Sequence, residues 1–504
     1  MPPLRLAELL ASLSLATDLG TGQPLGHGIR TCLLALALAR EMGCEADDIR
    51  STYQATLLRF LGCTADAAET AAMAGGDDLS FNAAMAPVFL GGSRDLLKAT
   101  VTAVGHGQPP GRRVRMVVDT LTDAGGMSRA LAAHCEVASM LAVRLDVEDR
   151  VILALQHAYE RWDGKGYPAG LAGEAIPIEI RIATVARDAD VLSRQGENEM
   201  AILRHRQGKA YDPEVVEALA RLGTWRPEAD WEELMESEPE PVEYVGNLDR
   251  ALTAMADFVD LKSPWTRGHS RRVAKLAGDA ALVAGFGQRV ASHLSQAALV
   301  HDLGRVGVEN GIWDKPATLS TDEWEKVRMH PYLTDRILSR CPAMAGLGEI
   351  ASSHHERMDG SGYHRHSTAD HLSRETRILA AADVFVALGS DRPYRGAFSQ
   401  GDALAIIRDE VADGRLDREA VSCVVTAAGG AVGDLRSVNP EGLTEREVEV
   451  LRLMAGGLTN RQMGDRLFIS PKTVGRHVEN IYLKIGVSTR AGAAVYAMER
   501  RLLD

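Results

Sequence analysis

Apolar side chains recur at helical spacing most legibly near the C-terminal end of the chain. Val448, Leu451, Leu453 and Met454 form one stripe, Met463 and Leu467 a second, and Val474, Val478, Ile481 and Ile485 a third. Helix breakers separate them. Gly456-Gly457 closes the first segment, and Ser470-Pro471 opens the third with proline in the first turn, where its missing N–H costs nothing. Thr444 followed three residues later by Glu447 reads as a capping box. Residues 441–504 therefore predict helix, turn, helix, turn, helix. On the third helix, Lys472, Thr473, Arg476, His477, Asn480 and Lys484 fall opposite the apolar stripe.

Upstream, residues 1 to about 224 are rich in Ala and Leu and predict further helices. The longest apolar run, Cys32 to Ala39, is pinned between Arg30 and Arg40 and is far shorter than the roughly 20 residues that span a bilayer. Within this region Glu160-Arg161-Trp162-Asp163-Gly164-Lys165-Gly166-Tyr167 matches Glu356-Arg357-Met358-Asp359-Gly360-Ser361-Gly362-Tyr363 at six of eight positions, an offset of 196. The same offset pairs His134 with His330 and Arg181-Ile182 with Arg377-Ile378. An offset of 242 pairs Gly26-His27 with Gly268-His269 and Leu61-Gly62 with Leu303-Gly304. The chain thus reads as an internal duplication, with 46 extra residues in the first copy, placed between about 64 and 130. Loops are expected there at Gly75 to Asp78 and at Gly91-Gly92.

These patterns divide the chain into a first repeat at 1–225, a second at 245–428 and the tail at 441–504. Residues 226–244, crowded with glutamates around three prolines, read as a solvated acidic linker, and 429–440 as a second connector. Composition agrees with several all-α domains: 504 residues exceed one core, and aromatic residues make up only 5%. The net charge of −13 is uneven, because residues 441–504 hold ten Lys/Arg against eight Asp/Glu and leave the remainder at −15. Only the tail could approach a polyanion. No secretion signal is visible, so a cytoplasmic protein is expected, and six scattered cysteines without a Cys-x-x-Cys are expected reduced and buried.

The second repeat concentrates groups suited to metal: His269, His301-Asp302, His330, His354-His355 and Asp383. Imidazole and carboxylate without thiolate suit Fe, Mn or Zn, and seven donors exceed one ion's needs, which argues for two ions. At these residues the chain resembles the HD-GYP phosphodiesterases of the HD phosphohydrolase superfamily. The matching signatures are Gly268-His269-Ser270, His301-Asp302-Leu303-Gly304, Met329-His330, His354-His355-Glu356 with Asp359-Gly360 and Gly362-Tyr363, Ala382-Asp383-Val384 and Arg392-Pro393-Tyr394-Arg395. The resemblance implies an all-α fold of two HD-type bundles in tandem. It also implies a centre of two or three divalent ions, Fe or Mn ahead of Zn, that acts on cyclic di-GMP or a related cyclic dinucleotide. By carry-over the seven residues are metal ligands and Asp302 is the bridge. Arg305, Asp359, Gly362, Tyr363, Arg392 and Arg395 become candidates for catalysis or substrate binding. Two positions depart from the family: Arg305 replaces its lysine and His364 its proline. In the first repeat only His27 and His134 of the seven survive. Arg59-Phe60, Ala158-Tyr159 and Arg187 stand at the other five places, with His157 and Asp188 one position out of register. No metal is expected there.

The tail is similar to the LuxR-type helix-turn-helix, through Leu443-Thr444-x-Arg446-Glu447, Gly457-Leu458-Thr459-Asn460 and Lys472-Thr473-Val474-x-x-His477. That resemblance implies a four-helix DNA-binding domain whose third helix enters the major groove. Lys472, Thr473, Val474, Arg476, His477, Asn480 and Lys484 are the candidates for DNA contact, and a fourth helix from about Arg490 to Leu502 would pair two chains as a homodimer. Two functions follow: a one-component transcription regulator that binds or hydrolyses a cyclic dinucleotide, or a working phosphodiesterase that the helix-turn-helix only localises or dimerises. A tandem acting on no nucleotide, as a scaffold, is a third.

Overall fold

The computed structural model describes residues 4–123, 125–196, 198–223, 228–241, 243–244, 246–430, 443, 445–467, 469–500 and 502–503. Among these the regular elements are helices, with only isolated β-bridges and no strand. The chain divides into two compact units, Met1–Gly430 and Ala431–Asp504.

The duplication is visible helix by helix in the first unit. Leu6–Gly20 corresponds to Leu248–Asp260, His27–Glu41 to His269–Val283 and Ala46–Leu58 to Gln288–Leu299, all at the 242 offset. Beyond the insert, Gly126–Ala142 corresponds to Thr321–Leu338, Asp149–Gln156 to Ala345–Ala351 and Ile178–Arg194 to Arg374–Leu388. Details repeat as well. His27–Glu41 and His269–Val283 both start after a left-handed glycine, Gly26 at φ 88° and Gly268 at φ 68°. A buried carboxylate caps each start: Asp18 accepts from the N–H of Gly26 and Gly28, Asp260 from the N–H and hydroxyl of Ser270. Gly62 and Gly304 are fixed by close packing, since a Cβ would lie 2.0 Å from the His134 carbonyl oxygen and 2.1 Å from that of His330. The Tyr167-Pro168 and Tyr363-His364 peptides are both cis.

The extra residues of the first repeat fold into Ala67–Ala74, Asp78–Met85, Ser93–Ala103 and Pro110–Thr122. Gly75 and Gly92 flank helices as expected, whereas Asp78 begins one and is buried. Its carboxylate receives the Lys262 ammonium at 2.7 Å and the Asn310 N–H at 2.6 Å, and the Gly311 N–H reaches the Gly76 carbonyl at 2.9 Å. The insert thus docks on the second repeat.

The solvated linker expected at 226–244 is corrected by the structure. Its described part holds a helix, Trp231–Glu236, capped by Asp230, with Leu234 fully buried. Arg5 binds Glu238 and the Met235 carbonyl, and Arg50 pairs with Glu240 at 2.9 Å. Glu238 and Glu240 thus have basic partners on the first repeat, which a count of charge along the sequence does not reveal. Residues 226, 227 and 242 lie outside the described residues, as do 431–440 of the second connector.

The second unit comprises Glu445–Ala455, Asn460–Leu467, Pro471–Ile485 and Arg490–Glu499 around a core of Leu443, Val448, Leu451, Met454, Met463, Val474, Ile481, Ala493 and Ala497. Ser470 caps the third helix by accepting from the Thr473 N–H, and Gly486 ends it at φ 68°. Thr444, half of the expected capping box, lies outside the described residues. All six cysteines are free, and all but Cys44 are buried.

Candidate metal centre

Five segments bring the chemistry of the second repeat together. His269 opens Gly268's helix, His301 and Asp302 lie in the turn after Gln288–Leu299, and His330 sits inside Thr321–Leu338. His354 and His355 follow Ala345–Ala351, and Asp383 is within Arg374–Leu388. Three imidazoles are oriented by the backbone. The Nδ1–H of His301 donates to the Ala298 carbonyl at 2.7 Å, that of His330 to Val327 at 2.6 Å and that of His354 to Ala351 at 2.7 Å. Each bond fixes the tautomer and leaves the Nε2 lone pair facing the centre.

Those lone pairs meet around one carboxylate. The Asp302 Oδ2 lies 3.6 Å from His301 Nε2 and 4.0 Å from His269 Nε2, while Oδ1 lies 3.4 Å from His330 Nε2 and 3.5 Å from His354 Nε2. Asp383 Oδ1 stands 3.1 Å from His269 and 3.8 Å from His301. The donors fall into the groups His269/His301/Asp383 and His330/His354/His355, with Asp302 facing both. The seven sequence candidates converge.

Burial shapes their charge. It pushes the His301 imidazolium down to about 4 and that of His330 to about 3, and drives His355 well below its ordinary value. Neutral imidazoles are the ligating form. Burial alone would raise Asp302 and Asp383, but His301 and Arg305 beside the first, and His269 beside the second, hold both carboxyls well below the usual range. His301 Nε2 and His269 Nδ1 are buried without a hydrogen-bond partner among the described residues. Converging neutral nitrogens, two ionised carboxylates and an unpartnered Nε2 form a donor set that fits divalent cations.

The remaining candidates separate. Arg305 donates to Asp302 at 3.2 Å and lies 3.8 Å over the Trp313 ring, whose indole N–H donates back to the Arg305 carbonyl. Burial first, and the charge of Arg305 second, hold the Arg392 guanidinium below its ordinary value, against the pull of Asp383 and Asp302. The Tyr363 ring lies 4.8 Å from that of His355. Arg395 is committed elsewhere: its guanidinium donates to the carbonyls of Ala387, Leu388, Ser390 and Gly396 and so closes the end of Arg374–Leu388. Asp359 is exposed and accepts from the Ser361 N–H and hydroxyl, the work of a turn residue. Gly362 is needed for close approach, since a Cβ would lie 2.4 Å from the Arg357 nitrogen.

Sequence reasoning missed three supports. Buried Glu356 accepts from the N–H of Arg365 and Ser367, as Glu160 does from Ala169, Gly170 and Leu171 in the first repeat. Its repetition at the 196 offset was the available signal. Trp313 and Asp260 carried none.

In the first repeat the retained histidines are bound to carboxylates, His27 Nδ1 to Asp190 and His134 Nε2 to Asp66, each at 2.6 Å. Arg187 is bound to Asp188, which also accepts from the Tyr211 hydroxyl at 2.6 Å.

In the second unit Lys472, Thr473, Arg476 and Asn480 are exposed on Pro471–Ile485, and His477 is half-buried. Two of the residues expected to touch DNA are corrected. Val474 is fully buried at the centre of the core, and Lys484 reaches buried Glu447 at 2.6 Å. Val474 belongs to the apolar stripe of this helix, and the Lys484 side chain, 33% exposed, is held by a carboxylate of another helix.

Known proteins share these features. A family model described as HD domain matches residues 119–215 and 253–420, and one described as bacterial regulatory proteins, luxR family, matches 441–497. The 3'3'-cGAMP-specific phosphodiesterase 3 of Vibrio cholerae is 32% identical over 420 residues, 81% of this chain and 91% of that protein. A cyclic di-GMP phosphodiesterase of Thermotoga maritima is 36% identical over 146 residues, 29% of this chain and 39% of that protein. The crystal structure of a cyclic GMP-AMP specific phosphodiesterase of Vibrio cholerae superposes with a TM-score of 0.58 at 27% identity, covering 85% of this chain and 98% of that one.

Proposed function

The chain belongs to the HD-domain family and carries a C-terminal domain of the LuxR family of bacterial regulatory proteins; from that premise we propose a transcription regulator whose second repeat holds divalent ions and hydrolyses a cyclic dinucleotide. The observation that carries this reading is the pair of donor groups meeting on the two oxygens of Asp302. His269, His301 and Asp383 would hold one ion and His330, His354 and His355 another, with Asp302 shared. Ions bound there supply positive charge for a phosphodiester and acidify water at neutral pH.

The chain's own residues do the rest. Arg305, pinned by Trp313, and Arg392 present guanidinium groups to phosphate oxygens. The Tyr363 ring offers a face for a base. Addition of water across one P–O bond opens the ring to a linear dinucleotide. Cyclic GMP-AMP is favoured over cyclic di-GMP, because the relative aligned over 91% of its length is named for the former, and the Thermotoga protein named for the latter aligns over 39%. In the tail, Lys472, Thr473, Arg476 and Asn480 would meet phosphates and base edges in the major groove. Val495 and Met498, exposed on Arg490–Glu499, would pair two chains. No helix among the described residues is long and apolar enough to cross a membrane.

The test is incubation of the purified chain, loaded with Fe or Mn, with each cyclic dinucleotide and chromatography of the products. Linear product is expected from the wild type, and Asp302→Ala should lower kcat/KM by at least about 10³-fold while metal content falls. Tight binding without product would leave a sensor in place of an enzyme.

A further inference from the structure

At the two places where the second repeat sets His301 and Asp383, the first repeat carries Arg59 and Arg187. In the second repeat these residues converge, with His301 Nε2 3.8 Å from Asp383 Oδ1. Their counterparts converge too: the Arg59 and Arg187 guanidinium carbons lie 6.0 and 5.7 Å from the centre of the same ring, Phe60. Where one copy gathers donors suited to cations, the other gathers two cationic side chains.

Arg59 is the unusual member. It is only 6% exposed, and its Nε and Nη1 have no hydrogen-bond partner among the described residues. The neighbouring carboxylates are engaged elsewhere, Asp66 by His134, Asp188 by Arg187 and Tyr211, and Asp190 by His27 and Arg30. Burial first, and the positive charge of Arg187 second, lower the Arg59 guanidinium to about 10, the response of a charge short of a counterion. The Phe60 and Tyr159 rings, each 6.0 Å away, are too distant to offset the desolvation of a full charge. A planar fork with free N–H groups is the geometry that takes an oxyanion through two parallel hydrogen bonds. Solvent reaches part of the neighbouring Arg187 and His134 side chains, which are 21% and 17% exposed.

We propose that the first repeat is a binding site for a phosphate-class oxyanion, held between Arg59 and Arg187 where the second repeat holds its imidazole and carboxylate cluster. The site would make the degenerate copy a sensor of an anionic ligand, either free phosphate or the phosphate group of a nucleotide. It stands independently of whether the second repeat turns over.

The experiment uses the full chain stripped of metal and exchanged into a phosphate-free buffer. Inorganic phosphate, guanosine 5'-monophosphate and cyclic GMP-AMP are titrated separately, with calorimetry and thermal unfolding as readouts, on wild type, Arg59→Met and Arg59→Lys. Binding and a rise in Tm are expected for the wild type, with Kd at least tenfold weaker in both variants. Arg59→Lys keeps the charge without the fork, and carries the comparison should Arg59→Met fail to fold. Response to inorganic phosphate alone identifies the free anion, and response only to the nucleotides identifies a nucleotide-borne phosphate. No response in the wild type to any of the three, or an equal response in the Arg59 variants, overturns the proposal.

Discussion

Asp18 and Asp260 cap equivalent helices yet differ in acidity. Burial raises Asp18 to about 8 against the pull of two backbone N–H donors, while Asp260 rises only to about 6, because nearby His269 and the Ser270 hydroxyl favour its ionised form. Gly28 supplies no such hydroxyl, since a Cβ there would lie 2.0 Å from Ser14 Oγ. A folded-state value raised above the unfolded one means that the folded chain binds the proton more tightly. The stabilisation is full below about pH 4 and is lost as pH rises toward 8. Between pH 6 and 8 the wild type should therefore lose up to about 1.4 kcal/mol per pH unit from this residue. Asp18→Asn should flatten that slope in a series of thermal melts. The seven residues that converge at the candidate centre were legible in sequence because metal chemistry demands particular residue types at particular spacings. Asp18, Glu356 and Trp313 were not, because each serves through a backbone group or ring that only the folded chain brings near.

At the scale of the element, Pro471–Ile485 shows what periodicity delivers. Val474, Val478, Ile481 and Ile485 do face the core, and Ser470 with Pro471 does start the helix. What spacing could not show is Lys484, whose charge is drawn to buried Glu447 on another helix. Gly475 sits within this helix in open space, where a Cβ would meet only the Asn460 amide nitrogen at 3.8 Å. Gly475→Ala should stabilise the unit by about 0.5–1 kcal/mol, read from the denaturation midpoint. DNA affinity should fall severalfold in the same variant, because the added methyl stands beside Arg476; unchanged affinity in gel shifts would remove any role for the glycine in approaching the duplex. The repeat helices were equally legible, since one set of motifs at two offsets located both copies. The helix Trp231–Glu236 was hidden by the acidic run around it, of which Glu238 and Glu240 find Arg5 and Arg50 from far away in sequence.

Across the first unit, the Asp78–Lys262 pair joins residues 184 positions apart, with side chains only 1% and 3% exposed. Lys262→Met leaves the Asp78 carboxylate buried without its cation and should cost about 3–5 kcal/mol. Asp78→Asn combined with Lys262→Met should recover part of that loss, and a double-mutant cycle by chemical denaturation measures the coupling. The same carboxylate holds the start of Asn310–Trp313, the short helix that presents Trp313 to Arg305. The insert of the degenerate copy therefore supports the arginine beside the candidate metal centre. Residues 245–428 expressed alone should expose Lys262 and Asn310 and lose this support, giving a protease-sensitive fragment, whereas 1–430 should fold as one body.

That clamp also bears on ancestry. A duplicated copy without the donor set of its sibling is ordinarily free to be deleted. Here the surviving copy has surrendered a lysine and a backbone N–H to its sibling, so deletion would strand a charge in the remaining half. The joint through Asp78 makes two copies of one module a single piece to inherit.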